Sequence, residues 1–214
     1  MAFTLINMKT WPRRQAFYHF TEQCPCSFSM TIAFDVTVLR KTTEAKNIKF
    51  FPAFLYGLTS LVNSRSEFRM ALDEQGRLGI YDICHPCYTV LQPETGTFAV
   101  VQTKFESEFS LFYTSCLEDI AAAQTCGLSP SSAMTPNLFY VSALPWMHFS
   151  GFTLNVPAER MALQPIFTIG RYAEEAGRWR LPLAIQVHHA ACDGWHVAQF
   201  VNALQSWCDE FSLK

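Results

Sequence analysis

Charge is scarce in this sequence. Only 16% of its 214 residues are Asp, Glu, Lys or Arg, and the formal net charge is −2. No basic surface for nucleic acid is expected from such a balance. No apolar run approaches the roughly 18 residues that a membrane span requires. The apolar stretch Met1–Met8 is followed, not preceded, by Lys9, Arg13 and Arg14, the reverse of a secretory signal. A cytoplasmic protein is expected, and its eight cysteines read as reduced thiols and not as a disulfide framework. The chain also lacks internal repeats, low-complexity tracts and a linker. What it has in plenty is apolar: half the residues are hydrophobic, and 19 are Phe. That excludes disorder and supplies a real core. A surface so short of charge is expected to be partly covered by other subunits.

Patterning predicts one α/β domain over 1–214, a two-layer sandwich with a mixed sheet covered by helices. A helix is expected from Trp11-Pro12 to about Gln23. A strand follows over Ser27–Leu39, with Phe28, Met30, Ile32, Phe34, Val36 and Val38 on one face. Arg40–Lys49 reads as a turn or short helix, and Phe51–Asn63 as a buried helix. Phe68–Leu72 and Leu78–Ile83 flank a hairpin turn at Asp73–Gly76. Cys84–Cys87 reads as a turn, with short strands at Tyr88–Leu91 and Thr97–Thr103. An amphipathic helix over Phe105–Ala123 turns Phe109, Phe112, Leu117 and Ile120 inward, and a loop follows over Thr125–Asn137. Strands are expected at Phe139–Ala143, Phe149–Val156 and Pro165–Tyr172, with a hairpin turn over Ala173–Arg178.

The chemistry concentrates near the C-terminus. Leu181–Val187 reads as a strand buried on both faces. From Trp195, apolar residues at Val197, Phe200, Val201, Leu204, Trp207 and Phe211 mark an amphipathic helix, and Asp193 stands at its N-cap. His188, His189 and Asp193 thus occupy the tight connection from a buried strand to a helix, where α/β proteins place catalytic groups. An imidazole there can take and return a proton near neutral pH.

The stretch His188-His-Ala-Ala-Cys-Asp-Gly-Trp-His-Val197 resembles the signature of the trimeric chloramphenicol acetyltransferases. Trp11-Pro-Arg-Arg14, Glu67-Phe-Arg-Met70, His85–Val90, Ser142-Ala-Leu-Pro-Trp146, Phe152–Val156 and Pro165–Tyr172 resemble other segments of that family, in the same order. The resemblance implies acetyl transfer from acetyl-CoA to the 3-hydroxyl of chloramphenicol by direct attack in a ternary complex. It implies no permanent cofactor, a homotrimer with sites at subunit interfaces, and antibiotic resistance. By the same resemblance His189 is the general base, Ser142 the oxyanion donor, and Thr168 assists through a water. Asp193 and Arg13 form a buried ion pair that shapes the turn. The drug pocket draws on Phe20, Cys24, Cys26, Phe98, Val100, Phe152 and Leu154; Trp146 and Tyr172 line the approach for CoA. No glycine-rich phosphate loop is present, so CoA is not held in a P-loop or Rossmann manner.

The sequence departs from the family pattern at Ala191 and Trp195, where valine and phenylalanine are usual, and at His19 and Gly96. Other readings compete. Cys24, Cys26, Cys84, His85 and Cys87 supply zinc-ligand types, though the first spacing is too tight for a knuckle. A dihydrolipoamide acyltransferase core shares the histidine motif, but this chain has no room for lipoyl domains. A non-catalytic drug-binding relative is disfavoured by the presence of His189, Ser142 and Asp193.

Overall fold

The computed structural model describes residues 1–126, 134–156 and 162–213. Its strands are β1 (Phe3–Leu5), β2 (Ser27–Asp35), β3 (Met70–Leu72), β4 (Leu78–Tyr81), β5 (His85–Gln92), β6 (Thr97–Gln102), β7 (Leu138–Leu144), β8 (Ile166–Gly170), β9 (Ala173–Glu175) and β10 (Arg178–His188). Its helices are α1 (Arg14–Tyr18), α2 (Thr37–Ala45), α3 (Phe50–Asn63), α4 (Phe109–Cys126) and α5 (Gly194–Glu210). A wider π-helical turn, His19–Gln23, continues α1. Among the described residues, the main sheet runs β2-β10-β8-β7-β5-β6, with β9 paired to β10; β1, β4 and β3 form a small second sheet. The main sheet is mixed, with β5, β7 and β8 parallel and β10 antiparallel to both of its long neighbours. The expected mixed sheet covered by helices is therefore present.

The two faces of this sheet differ in chemistry. One face bears Val101, Tyr88, Val141, Phe167 and Ile185, all buried in the apolar core with Phe54 and Leu58 of α3 and Phe200 and Leu204 of α5. Helix α3 is buried around most of its circumference, as its apolar sequence demands. Its Pro52 sits in the first turn, where the missing N–H costs nothing. At Gly57 the helix meets α5 so closely that a Cβ would lie 2.5 Å from the Trp207 ring. The opposite face of the sheet carries Ser29, Thr31, Gln186, Thr168, Ser142 and Tyr140. That polar face carries Ser142 and Thr168, two of the expected site residues.

Four local expectations are corrected. The strand expected to Leu39 ends at Asp35, whose Oδ1 accepts the Thr37 N–H at 3.0 Å and starts α2. Val36 becomes a buried cap residue, and Val38 is exposed on the helix. His85–Cys87 is not a turn: it begins β5 and pairs in parallel with β7. The expected strand Phe149–Val156 bends at Ser150 and joins no ladder. Side chains serve its backbone instead: Phe152 N–H donates to Thr31 Oγ1 at 3.2 Å and Leu154 N–H to Gln186 Oε1 at 3.3 Å. The segment thus lies on the polar face of the sheet and not within it. Helix α4 starts at Phe109, because Glu108 accepts the N–H groups of Ser110 and Leu111. Part of the expected loop Thr125–Asn137, residues 127–133, lies outside the described residues. Gly96, one of the departures, has φ +66°, so the β5–β6 turn uses the one residue that adopts this conformation freely.

Asp35 ties this edge of the sheet together. Its carboxylate accepts from Arg178 at 2.7 Å, and its main chain is clamped by Gln205 of α5. Burial raises its pKa, but the Thr37 and Arg178 hydrogen bonds and the Arg180 charge outweigh that and lower it to about 2. The folded form therefore favours the ionised carboxylate. Its contribution is complete above the unfolded pKa near 3.9 and is lost as pH falls toward about 2. After allowing for screening near the surface, about 1–2 kcal/mol is at stake. Urea midpoints measured from pH 5 to pH 2.5 are expected to fall, and Asp35→Asn is expected to flatten that decline. An unchanged slope in the variant would refute this role.

Candidate active site

Strand β10 delivers His188 and His189 to a tight turn. The His188 carbonyl accepts the N–H groups of Ala191 and Cys192, both at 3.0 Å. The His189 N–H donates to the Cys26 carbonyl at 3.0 Å, anchoring the turn to the segment that enters β2. The His189 ring lies flat on Phe20, with centroids 3.8 Å apart and planes at 7°, and meets the edge of Phe28 at 5.1 Å. Its Nδ1 is 3.2 Å from the Cys192 carbonyl. A carbonyl only accepts, so this contact assigns the proton to Nδ1 and leaves the Nε2 lone pair free. The imidazole is thus held in one plane and one tautomer, presenting a base. His188 differs. It is buried, its Nδ1 accepts the Ala190 N–H at 3.1 Å, and burial first, then the neighbouring His189, lowers its pKa. Both effects favour its neutral form.

Asp193 caps α5, accepting from the N–H groups of Trp195 and His196 at 3.0 and 3.3 Å. His196 returns the bond, its Nδ1 accepting the Asp193 N–H at 3.2 Å. Arg13 Nη1 donates to Asp193 Oδ2, and Arg13 Nη2 reaches the His189 carbonyl at 3.4 Å. The start of α1 is thereby tied to both ends of the histidine turn. Partial burial raises the Asp193 pKa, but the His196 N–H and the Arg13 guanidinium hold the carboxylate below its ordinary range. The pair is half-buried and not buried as expected: the side chains of Arg13 and Asp193 remain 20% and 36% exposed. Water therefore screens it, and the cost of breaking it is smaller than for a fully buried charge. Asp193→Ala, which removes cap and pair together, is expected to lower stability by about 1–3 kcal/mol. Asp193→Asn keeps a cap and is expected to cost less than half of that. Chemical denaturation of both variants checks the order.

Ser142 and Thr168 are cross-strand neighbours on the polar sheet face, with Ala184 of β10 next in the row. Thr168 is buried, whereas Ser142 opens on a cavity of about 480 Å³ with Val100, Thr89 and Tyr140. Phe98 of β6 meets Trp146 edge-on at 6.4 Å, and both are half exposed. Phe152 and Leu154 lie on the segment that crosses this face. Tyr172 lines a separate apolar cavity of about 390 Å³ with Phe50, Phe51, Pro145 and Arg171. Arg40 stacks on Trp179 at 3.7 Å and stands 5.4 Å from the Tyr172 ring, fixing that wall. Phe50 and Phe51 were not expected here, because an apolar run at the start of a buried helix carries no sign that one turn of it faces a cavity. His85, a zinc-ligand type by sequence, accepts the Phe105 N–H through Nδ1. Among the described residues no group of three or more His, Cys, Asp or Glu side chains could hold a metal ion.

The site residues form two groups. One holds His189 with Phe20, Cys24, Cys26, Arg13 and Asp193; the other holds Ser142 and Thr168 with Phe98, Val100 and Trp146. His189 lies five residues beyond Ala184, the residue in register with Thr168 and Ser142. At strand spacing that puts it about 16 Å along and about 10 Å across the sheet from Ser142.

The fold, a mixed sheet with a histidine turn at the end of its longest strand, is shared with solved acetyltransferases. A solved chloramphenicol acetyltransferase superposes with a TM-score of 0.85 at 23% identity, covering 97% of this chain and 100% of that one. The dihydrolipoamide acetyltransferase of Azotobacter vinelandii superposes with a TM-score of 0.71 at 18% identity over 92% of this chain and 86% of that one. Sequence narrows the class. A family model described as chloramphenicol acetyltransferase matches residues 1–205. Chloramphenicol acetyltransferases of Campylobacter coli and Vibrio anguillarum are 42% and 41% identical over 206 residues, 96% of this chain and 98% and 94% of theirs. The chain is an acyltransferase and belongs to the chloramphenicol acetyltransferase family. Among the described residues, no helix is long and apolar enough to cross a membrane.

Proposed function

We propose that this chain transfers the acetyl group of acetyl-CoA to the 3-hydroxyl of chloramphenicol, in the cytoplasm, and so gives resistance to the drug. The observation that carries the reading is the His189 ring, held by Phe20 and the Cys192 carbonyl with its Nε2 unengaged. Nε2 takes the proton from the drug hydroxyl as its oxygen attacks the thioester carbonyl. The tetrahedral oxyanion accepts a hydrogen bond from the Ser142 hydroxyl, with Thr168 assisting through a water. Collapse breaks the C–S bond, and the imidazolium returns its proton to the departing CoA thiolate. Both substrates are held together, so orientation supplies much of the rate and no acyl-enzyme is formed. Asp193 and Arg13 act on the turn, not on the proton.

The separation of His189 from Ser142 supports a site completed by a second copy, with three copies closing a ring in which each interface joins one copy's histidine to its neighbour's sheet face. Phe20, Cys24, Cys26, Phe98, Val100, Phe152 and Leu154 supply the apolar walls that a nitrophenyl ring and a dichloroacetyl group need. Trp146 and the Tyr172 cavity receive acetyl-CoA, which is a co-substrate and not a resident cofactor.

The test is release of free CoA thiol by purified protein with acetyl-CoA and chloramphenicol. Drug-dependent release is expected; release only with a thiol acceptor such as dihydrolipoamide would replace this reading with that of the fold's other acyl acceptors. Ser142→Ala is expected to lower kcat by about 10²-fold with little change in either KM, as loss of one oxyanion donor does. A KM effect with intact kcat would place Ser142 in ground-state binding instead.

A further inference from the structure

Tyr172 stands between β8 and β9 and forms one wall of the apolar cavity of about 390 Å³. Among the described residues its hydroxyl has no hydrogen-bond partner, so ring packing orients it. Phe50 of α3 meets the ring at 5.2 Å and 63°, and Trp179 of β10 stands edge-on to it at 5.5 Å and 89°. The Arg40 guanidinium of α2 fills the corner between Trp179 and Tyr172, 3.7 Å from the centre of the first ring and 5.4 Å from that of the second. Trp179 is itself clamped to the start of α2. Its N–H donates to Thr37 Oγ1 and its carbonyl accepts the Val36 N–H, both at 2.8 Å. Arg40 pairs through Nη2 with Glu44 one turn on, and its Nε is buried without an acceptor among the described residues. An orphaned N–H is costly. A flat guanidinium lying on an indole face offsets that cost, and the compact ammonium of a lysine offers no such plane. Arg40 lines neither the Tyr172 cavity nor the Ser142 cavity.

We infer that Arg40, stacked on Trp179, is a positioning residue for the nucleotide end of acetyl-CoA: the pair braces the Tyr172 ring on which that end packs. This role rests on the proposed place of acetyl-CoA in the Tyr172 cavity. The thioester belongs beside Ser142, in the other cavity, so the far end of the donor is what remains for this one. Ala143 and Pro145, which follow Ser142 in the chain, line the Tyr172 cavity and lead from one to the other. Its walls suit that end of the donor. Flat rings face a purine, and Arg171 can meet a phosphate. Arg40 touches neither and acts through Tyr172. Without the brace the ring is free to turn, and ordering it again on binding costs affinity.

Arg40→Met keeps an unbranched side chain and removes the flat cation. Its KM for acetyl-CoA is expected to rise about fivefold, while kcat stays within about twofold and the KM for chloramphenicol does not move. With S-acetyl-N-acetylcysteamine, a donor that has the thioester and no nucleotide, variant and wild type are expected to be equal. A merely structural defect would slow both donors alike. Trp179→Leu is expected to behave as Arg40→Met does, and the double variant to be no worse than the worse single one, because the two side chains act as one brace. If Arg40→Met does not fold, Arg40→Lys, which keeps a cation but no flat group, takes its place with the same expected result. Calorimetry with adenosine 3′,5′-bisphosphate needs no turnover. Binding about fivefold weaker in the variant is expected. No binding to the wild type would overturn the proposed place of acetyl-CoA, and the brace with it. Equal binding to both proteins, an unmoved KM, an equal loss with the truncated donor, or additive losses in the double variant would overturn the brace alone.

Discussion

His189→Ala is expected to lower kcat for chloramphenicol acetylation by about 10³–10⁴-fold, the span that a well-placed general base contributes at its upper end. An alcohol is a poor nucleophile at neutral pH, and no other side chain in the histidine turn presents a free basic nitrogen. His188 spends Nδ1 on the Ala190 N–H and is buried, while His196 spends Nδ1 on the Asp193 N–H. The variant separates chemistry from architecture cleanly. The bonds from His189 N–H to Cys26 and from Arg13 to the His189 carbonyl are main-chain bonds that alanine retains. The stack on Phe20, the edge contact with Phe28 and the ring contact to Cys192 are lost, a stability cost of about 1–2 kcal/mol. His188→Ala is expected to show the opposite split. It strands the Ala190 N–H, so it lowers stability by about 1–3 kcal/mol while kcat falls far less. Thiol release and denaturant midpoints, measured on both variants, decide the matter. More than a tenth of wild-type turnover in His189→Ala would mean that the base is another group.

Where local pattern and tertiary role agree, the sequence alone was sufficient. Strand β10 and helix α5 were legible because the buried apolar run, the capping aspartate and the three-four spacing all point the same way. Pattern failed where partners lie far along the chain. Alternation in Phe149–Val156 is the same whether its N–H groups join a ladder or reach Thr31 and Gln186, and nothing local distinguishes the two. Cys84–Cys87 looks like a turn because Pro86 punctuates it, yet pairing with β7 carries the strand through. For the strand overrun into Val38 a signal did exist: Asp35 ahead of Thr37 is a helix-start pattern that the β-branched residues obscured. The site divides in the same way. The histidine turn could be singled out from residue chemistry, but roles for Ser142 and Thr168 came only from resemblance. A serine and a threonine in adjacent strands carry no local mark of catalysis. Phe51 and Arg171, which share a cavity with Tyr172, were not singled out because their contacts join α3 to the end of β8.

The largest test of the assembly uses two inactive chains together. If each site takes His189 from one copy and Ser142 from its neighbour, then chains carrying His189→Ala and chains carrying Ser142→Ala complement one another. In a ring of three that holds both chains, about one interface in three sets an intact histidine opposite an intact serine. Activity is thus expected to return to about a third of wild type in mixed assemblies, from parents weaker than that by about 10²-fold or more. Co-expression with two different affinity tags and sequential purification isolates mixed assemblies, so slow exchange of subunits cannot hide the effect. Within one chain, ideal strand spacing sets the backbones of the two residues roughly 19 Å apart, too far for one thioester carbonyl to meet a proton acceptor at one and a donor at the other. Mixed assemblies no more active than the sum of their parents would show that each chain completes its own site, and the strand ends would then have to close on one another by a motion this sheet does not display. A return to a third would instead explain the scarcity of charge in the sequence. The polar, nearly uncharged face around Thr168, Gln186 and Tyr140 would be one wall of a pocket whose other wall is the next copy's histidine turn.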